Sequence, residues 1–297
     1  MKKDNDNNWF ELTISEKWNQ LSVGQLFRDV WKAPKKLTHQ FRMEKHVKVN
    51  DSPADWERSL QIGDVLQIAL FQEEDFGVIP EEYDIGVLYE DEHLLVANKP
   101  AGMETHPNEA GQAHTLANAV AYHLLQKGEH RRVRHIHRLD KDTTGAILFA
   151  KHALSHAMLD RMLNERLIKR TYNALVQGLI PKSTDIINLP IGRDRHHPTR
   201  RRVSKTGQNA ITHIKLLKTI PTKKLSLIEC SLDTGRTHQI RVHLSHIGHP
   251  LAGDVLYGGK AIFKRPALHA RKLTFIHPLT DKKIDCIAPF IDNPPIF

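Results

Sequence analysis

The chain has 297 residues, enough for one large domain and one small one. Apolar residues make up 40% and charged residues 26%, which excludes a chain disordered throughout. A formal net charge of +9 favours polyanionic partners, and composition alone does not choose between RNA, DNA and anionic lipid.

Met1 to Asn8 is charged and lacks the apolar run of a signal peptide, and no segment approaches a membrane span of about 20 apolar residues. The two cysteines, Cys230 and Cys286, lie in apolar, strand-like runs away from each other and from histidine clusters. They are expected in the core, as in a reducing compartment, and the expected location is cytoplasmic.

Residues 1 to about 12 read as a polar tail. Thr13 to about Phe71 has the pattern of a compact mixed module. Val23 to Trp31 carries apolar residues at helical spacing, and Ser22 is placed to cap it. Lys35, Lys36 and His39 form a small basic cluster. Val47 to Val49 and Val65 to Ile68 read as strands beside the turn signals Asn50-Asp51 and Gly63-Asp64. Between Glu73 and Glu92 stand nine acidic residues and no lysine or arginine. Such a run is most often a solvated face; here a linker and then an acidic domain edge are expected. It would repel a phosphate backbone, so RNA is expected elsewhere.

The chain thus divides into a small domain at 13–72, an acidic linker at 73–84 and a large domain at 85–297. In the large domain Leu94 to Ala97 reads as a strand, and Thr115 can cap a helix reaching about Lys127. Ala146 to Ala150 is a strand and Ala153 to Leu167 a helix. Tyr172 to Val176, Leu225 to Leu232, Lys272 to Ile276 and Ile284 to Ile287 read as strands, and residues 237 to 246 as a shorter helix. The irregular alternation argues for a mixed α/β domain rather than regular βαβ winding.

Three constellations could carry chemistry. The run His135 to Gly145 is unusually polar for a segment entering a strand, and Asp140 within it is surrounded by basic groups. Asp142 suits an ordinary loop cap. A carboxylate such as Asp140 can act as nucleophile or proton-transfer group if held at a substrate. In the second run, Thr234 to Pro250, Gly235 marks a strand-to-helix transition and Thr237 is placed to cap the helix, leaving backbone N–H groups for an anion. Its histidines, His238, His243, His246 and His249, lack the spacing of known zinc motifs, and no metal is expected. The third is basic: Arg131, Arg132, Arg134 and Arg138, then Arg193, Arg195, Arg200, Arg201, Arg202 and Lys205. Charge runs are usually solvated surface, but two clusters, one abutting Asp140, fit a groove that tracks phosphates.

In these segments the chain resembles the RluA-type RNA pseudouridine synthases. The resemblance is carried by Ala97 to Pro107, His137 to Ala150, Lys169-Arg170-Thr171-Tyr172, Asp233 to Gly259 and Arg265 to Leu273, in family order over most of the larger domain. It implies an α+β fold: a mixed-sheet catalytic domain preceded by a small α/β RNA-binding-like domain. It implies isomerisation of uridine to pseudouridine with no metal or organic cofactor. By the same resemblance Asp140 would be the essential carboxylate. Tyr172 would pack against the target ring and serve proton removal from C5, and Arg241 would pair with Asp140. Leu273 would line the apolar side of the pocket, and Arg138 would fill the space left by a flipped nucleotide. Thr237, Arg200, Arg201 and Arg202 are expected at the substrate. The expected partner is structured ribosomal or transfer RNA, with neither DNA nor membrane, and the chain is expected to act as a monomer.

The small module resembles, more weakly, an RNA-binding domain named after a small-subunit ribosomal protein. Val47 to Asn50 and Gly63-Asp64 match its end, with Lys35, Lys36 and Arg42 in place of its basic helix signature. Two departures from the larger pattern are Thr144, where serine is common, and Glu104, at a usually apolar position. Competing readings are an RNA-binding or ribosome-assembly protein without activity, a metal-dependent RNA hydrolase using the histidines, and a DNA-binding protein. Intact Asp140, Tyr172 and Arg241 argue against the first, and the absence of a recognition-helix motif against the last.

Overall fold

The structure is a computed structural model and describes residues 8–297. Most of the expected polar tail lies outside the described residues. Its end is not a tail: strand β1 (Phe10–Thr13) pairs with the last strand of the small domain. With β2 (Val47–Val49), β3 (Ser52–Pro53) and β4 (Val65–Ile68) it forms an antiparallel sheet ordered β1-β4-β2-β3. Ser22 caps α1 (Val23–Gln25) reciprocally: its Oγ accepts from the Gln25 N–H at 3.2 Å, and Gln25 Oε1 accepts from the Ser22 N–H at 2.7 Å. The chain then widens into a π-helical turn at Leu26–Val30 before α2 (Lys35–Met43).

Phe27, Trp31, Phe41 and Trp56 fill this module, with ring centres 5.0 to 5.7 Å from Phe27. The same apolar cluster takes in Leu154, Met158 and Leu279 of the larger domain. A domain this small encloses little interior of its own, so it completes its core against its neighbour. Lys17 reaches Asp281 at 2.7 Å across the same junction.

The larger domain is built on a ten-stranded mixed sheet. Its strands begin with β5 (Gly86–Glu90), β6 (Leu94–Lys99), β7 (Arg134–His135), β8 (Thr144–Ala150), β9 (Lys169–Gln177) and β10 (Thr184–Asn188). A separate hairpin follows, β11 (Ile191–Arg193) and β12 (Arg201–Val203), and then β13 (Ile211–Ile220), β14 (Leu225–Leu232), β15 (Leu268–Ile276) and β16 (Lys283–Ile287). The sheet runs β10-β13-β14-β9-β15-β8-β6-β5, with β16 beside β15 and β7 beside β8. Only the β15–β8 pair is parallel.

Helix α3 (Leu116–Gln126) starts at Thr115, whose Oγ1 accepts from the Asn118 N–H at 3.4 Å. Helix α4 (Ala153–Asn164) stops short of the expected Leu167, because Arg166 turns the chain at φ +62°. Helix α5 (Gln239–His246) follows β14. Alternate residues of the central strands divide between two cores. Leu95, Ala97, Ile147 and Phe149 face α3 and α5, while Leu94, Val96, Ala146 and Leu148 face α4. Period-two side-chain alternation thus lets one buried sheet serve two layers.

The acidic run is exposed at Glu73, Asp75, Glu82, Asp84 and Glu92 but anchored at others. The segment from Glu73 to Asp84 is strapped to the larger domain: Glu74 meets Arg134, and Asn118 Nδ2 donates to the Ile79 carbonyl at 2.8 Å. Beyond it, Glu90 accepts from Lys127 at 2.6 Å, His123 at 2.9 Å and Lys151 at 3.0 Å. Burial opposes ionisation of Glu90, but those three donors outweigh it and draw its pKa down to about 2.

Gly145 is required where β8 meets β15. It sits at φ +113°, and a Cβ there would lie 2.3 Å from the Ala270 carbonyl oxygen. Gly145→Ala is expected to lower stability by about 2–4 kcal/mol through strain and forced separation of the parallel pair. A denaturant-unfolding midpoint equal to that of the parent would contradict this.

Several buried histidines set an acid limit. Burial, first of all, pushes His93, His135 and His269 from the ordinary 6.5 down to about 4, and His137 to about 3. The folded chain therefore binds fewer protons than the unfolded chain in this range. Stability that is complete above 6.5 should fall as pH drops toward 4, by at most about 1.4 kcal/mol per pH unit for each histidine. Thermal unfolding followed across that window tests it; a flat profile would refute it.

Candidate active site

Asp140 lies in the loop between β7 and β8, and this loop is held from four sides. The Thr143 N–H donates to the Asp140 carbonyl at 3.0 Å, closing a turn. Thr105 Oγ1 donates to the Leu139 carbonyl at 3.0 Å and accepts from the Leu139 N–H at 3.1 Å. Lys99 is wholly buried, and its ammonium donates to the carbonyls of Met103 at 2.6 Å, Lys141 at 2.7 Å and Pro100 at 2.8 Å. Burial lowers the Lys99 pKa to about 7. Arg265 donates to the Asp142 carbonyl at 3.3 Å and to Thr144 Oγ1 at 3.1 Å. The Thr144 hydroxyl also meets His269 Nδ1 at 2.7 Å, so the hydroxyl is what this position uses. Loops held so tightly lose little entropy when a substrate arrives.

Arg241, on α5, donates from Nη1 to Asp140 Oδ2 at 3.1 Å. The rest of its guanidinium is clamped by Asp254, Nε to Oδ2 at 2.7 Å and Nη2 to Oδ1 at 2.9 Å. Asp254 is 1% exposed, Arg241 11% and Asp140 23%, so the chain of charge runs from the interior to the cavity wall. Burial alone would lower the Arg241 pKa, but the hydrogen bonds and charge of Asp254, then those of Asp140, raise it above its ordinary value. Tyr257 lies under this guanidinium, its ring centre 4.9 Å from Arg241 Cζ.

Asp140 opens into a cavity of about 480 Å³, within the roughly 300–1,000 Å³ usual for ligand pockets. Tyr172, projecting from β9, forms part of its wall and is 4% exposed. Burial raises its phenol pKa, so it stays protonated near neutral pH. Leu139, Ile240 and Leu268 supply apolar surface, and Arg138, Arg166, Arg170 and Arg236 are spread around the lining.

The structure brings Asp140, Tyr172, Arg241 and Arg138 together at this cavity and Thr237 to its edge. It places others differently. Leu273 does not line the cavity. Strand β15 pairs with β8 only at His269 and Ala270 and then takes β16 as its neighbour, which carries Leu273 into the core with Leu94 and Val96. Leu268 takes the expected place on the wall.

Thr237 does not cap α5. The helix begins two positions later, entered through His238 in left-handed backbone at φ +58°, with no side-chain cap on that residue. The Gln239 side chain satisfies the turn instead: its Oε1 accepts from the Arg236 N–H at 3.0 Å and from Thr234 Oγ1 at 2.8 Å. Arg200, Arg201 and Arg202 lie on the β11–β12 hairpin. Only Arg202 is fully exposed, since Arg200 faces Asp194 at 3.8 Å and lies over Tyr257.

The histidines of the second run have separate tasks. His243 bonds Thr212 Oγ1 and the Leu189 carbonyl, His249 the Gln177 carbonyl, and His238 the Tyr257 hydroxyl. Asp254 and Tyr257 were not legible as site residues from local pattern. The signal available was a buried-type Gly-Asp followed by Tyr-Gly, which spacing alone does not tie to Arg241.

A mixed sheet carries a carboxylate bonded to a largely buried arginine, beside a buried phenol and among guanidinium groups, a candidate site whose charge suits a polyanion. Residues 93–246 match the family described as RNA pseudouridylate synthase, and residues 10–66 match the RluD ribosomal pseudouridine synthase N-terminal domain. A Bacillus subtilis (strain 168) protein called the uncharacterized RNA pseudouridine synthase YhcT is 48% identical over 281 residues, covering 94% of this chain and 93% of that protein. The ribosomal large subunit pseudouridine synthase D of Nitrosomonas europaea is 37% identical, covering 96% of this chain and 86% of its own. Among solved structures, the human protein called RNA pseudouridylate synthase domain containing 1 superposes with a TM-score of 0.59 at 26% identity, over 70% of this chain and 85% of that one. The chain belongs to the RluA-type RNA pseudouridine synthases: it is an RNA-binding isomerase that converts uridine to pseudouridine. Among the described residues, no helix is long and apolar enough to cross a membrane.

Proposed function

We propose that Asp140 is the catalytic carboxylate and that the substrate is large-subunit ribosomal RNA. The observation that carries the first part is the Asp254–Arg241–Asp140 chain, which delivers one oriented carboxylate to a cavity beside Tyr172. The reaction breaks the C1′–N1 bond, turns the uracil, joins C1′ to C5, removes the proton from C5 and returns one to N1, leaving an isomer. It needs no redox partner. It needs a carboxylate at C1′ or the ring, a held base and a proton acceptor. Asp140 provides the first. Tyr172, kept neutral, packs against the ring and can relay the C5 proton by handing on its own phenol proton as it takes that one up. Arg241 holds Asp140 aimed.

A base inside a stem must leave its stack, at a cost of a few kcal/mol. Arg138, exposed at the cavity, is the side chain we assign to the vacated space, and phosphate contacts offset the remainder. The choice of ribosomal RNA rests on relatives named as ribosomal large subunit pseudouridine synthases and on the matched N-terminal domain. We read the chain as a small RNA-docking domain at 13–72, a strap at 73–84 and a catalytic domain at 85–297. The division is supported by the sheets, the first ending at Ile68 and the second beginning at Gly86. A cytoplasmic location fits that substrate and the two free, buried cysteines.

Mapping pseudouridines in ribosomal and transfer RNA from cells with and without the protein tests the substrate. Loss of one or more large-subunit ribosomal sites is expected; loss confined to transfer RNA would replace this assignment. On the hairpin, exchanging Arg200, Arg201 and Arg202 for glutamine should weaken RNA binding and shrink its logarithmic salt slope by roughly 1–3. An unchanged slope would make these residues solvated surface.

A further inference from the structure

His238 is a residue for which the pairing of Asp140 with Arg241 leaves no task, yet the chain holds it in left-handed backbone at φ +58°. Asparagine, aspartate and histidine enter that region more readily than other non-glycine residues, so the case for the imidazole rests on what its ring touches.

Its ring bridges two parts of the molecule. Nδ1 lies 2.8 Å from the Tyr257 hydroxyl, and Nε2 lies 3.9 Å from Asp140 Oδ1, the oxygen that Arg241 does not hold. The Arg201 backbone N–H, at the start of β12, donates to the same Tyr257 oxygen at 2.9 Å. A peptide N–H can only donate. That leaves the phenol hydrogen free to point at His238 Nδ1, the only acceptor within hydrogen-bond distance among the described residues. A neutral imidazole that accepts at Nδ1 carries its hydrogen at Nε2. That N–H faces Asp140. Burial, against the pull of Asp140, keeps the ring pKa below its ordinary value, in line with a neutral ring.

We propose that His238 is a positioning residue for Asp140, with its tautomer set by Tyr257, and that Tyr257 thereby ties Asp140 to the seating of the β11–β12 hairpin. This rests on Asp140 being the catalytic carboxylate. Arg241 holds one carboxylate oxygen by a hydrogen bond at 3.1 Å, and the His238 Nε2–H faces the other at 3.9 Å, beyond direct hydrogen-bond reach, so it acts on that oxygen through its dipole and by filling the space beside it. The hairpin carries Arg193, Arg201 and Arg202, and together with Arg236 it borders a second concavity that joins the first at Thr237. A strand of RNA that displaces the hairpin would shift the Arg201 N–H, release the phenol and free the imidazole tautomer.

Two substitutions isolate the link. Tyr257→Phe removes only the hydroxyl and keeps the ring beneath Arg241. His238→Asn removes the imidazole and tolerates the left-handed backbone. Each is assayed on large-subunit ribosomal RNA transcribed without modification, for kcat, KM and thermal midpoint. The expected result is a fall in kcat of about three- to tenfold for each, with KM within about twofold. The double variant should be no slower than the worse single variant, because both break one chain of contacts. His238→Gln, whose Nε2 amide reaches the place of the imidazole N–H, should recover most of the loss. Losses that multiply in the double variant, or a loss confined to KM, would overturn the proposal. If Asp140→Asn kept its turnover, the underlying assignment would fail. If Asp140→Asn were inactive while Tyr257→Phe and His238→Asn kept the parent kcat, the positioning proposal alone would fail.

Discussion

Asp140→Asn is expected to lower pseudouridine formation by about 10⁴-fold or more, with the protein still folded and still bound to RNA. Asparagine has the same shape and can still accept from Arg241, so the cavity keeps its outline. It cannot act as nucleophile or take a proton, and those are the roles open to a carboxylate here. The fold should survive because the buried guanidinium keeps its charge partner: Asp254 holds Arg241 through two hydrogen bonds, at 2.7 and 2.9 Å, independent of Asp140. Asp140 is also the more exposed of the two carboxylates, so neutralising it strands no interior charge. Single-turnover assays with excess enzyme, beside a thermal melt and an RNA-binding titration, separate these outcomes. Turnover within tenfold of the parent would remove Asp140 from the chemistry.

The second large effect is expected at Asp254, which does not face the substrate. Asp254→Ala leaves Arg241 buried with Asp140 as its only carboxylate, at 3.1 Å through one nitrogen. Breaking a buried ion pair from one side typically costs about 3–5 kcal/mol, because the remaining charge is left desolvated. The guanidinium should then turn to recover solvent or a second bond to Asp140, which misaims the carboxylate. We expect destabilisation of that size from the alanine variant. Asp254→Asn, which keeps the shape and one acceptor, should lose about 10- to 100-fold in turnover with a smaller stability loss. A melt and a kcat for Asp254→Ala both equal to the parent would show that Arg241 needs no clamp.

Both predictions turn on partners far apart in the chain. Arg241 and Asp140 are 101 residues apart, and Arg241 and Asp254 are 13 apart. The motif run Asp233 to Gly259 made Arg241 and Asp140 readable as a pair through resemblance. Nothing in its spacing assigned Asp254 to the same guanidinium. That contact exists because the segment after α5 folds back at Gly253, where φ is +83° and a Cβ would lie 2.1 Å from the Arg265 carbonyl oxygen. The closeness of two backbones at a turn is a property of the assembled sheet.

What the amino-acid order determined by itself was local. Ser22 and Thr115 were readable as caps because a cap is decided by a side chain and a backbone N–H three residues away. Val47–Val49, Val65–Ile68 and Leu225–Leu232 were readable as strands because short runs rich in apolar residues between turn residues leave the backbone few alternatives. The Asp140 loop was readable because its polar residues are contiguous. Tertiary structure decided the rest. It moved the start of α5 past Thr237, since Gln239 takes over the turn's hydrogen bonds. It put Leu268 rather than Leu273 on the cavity wall, since β15 changes neighbours along its length. It made Glu90, at the acidic edge, an anchor, since Lys127, His123 and Lys151 arrive at it from α3 and the end of β8. Hydrogen bonds between near neighbours follow from backbone conformation alone. Those between distant segments follow from sheet order and register, which depend on every strand being in place.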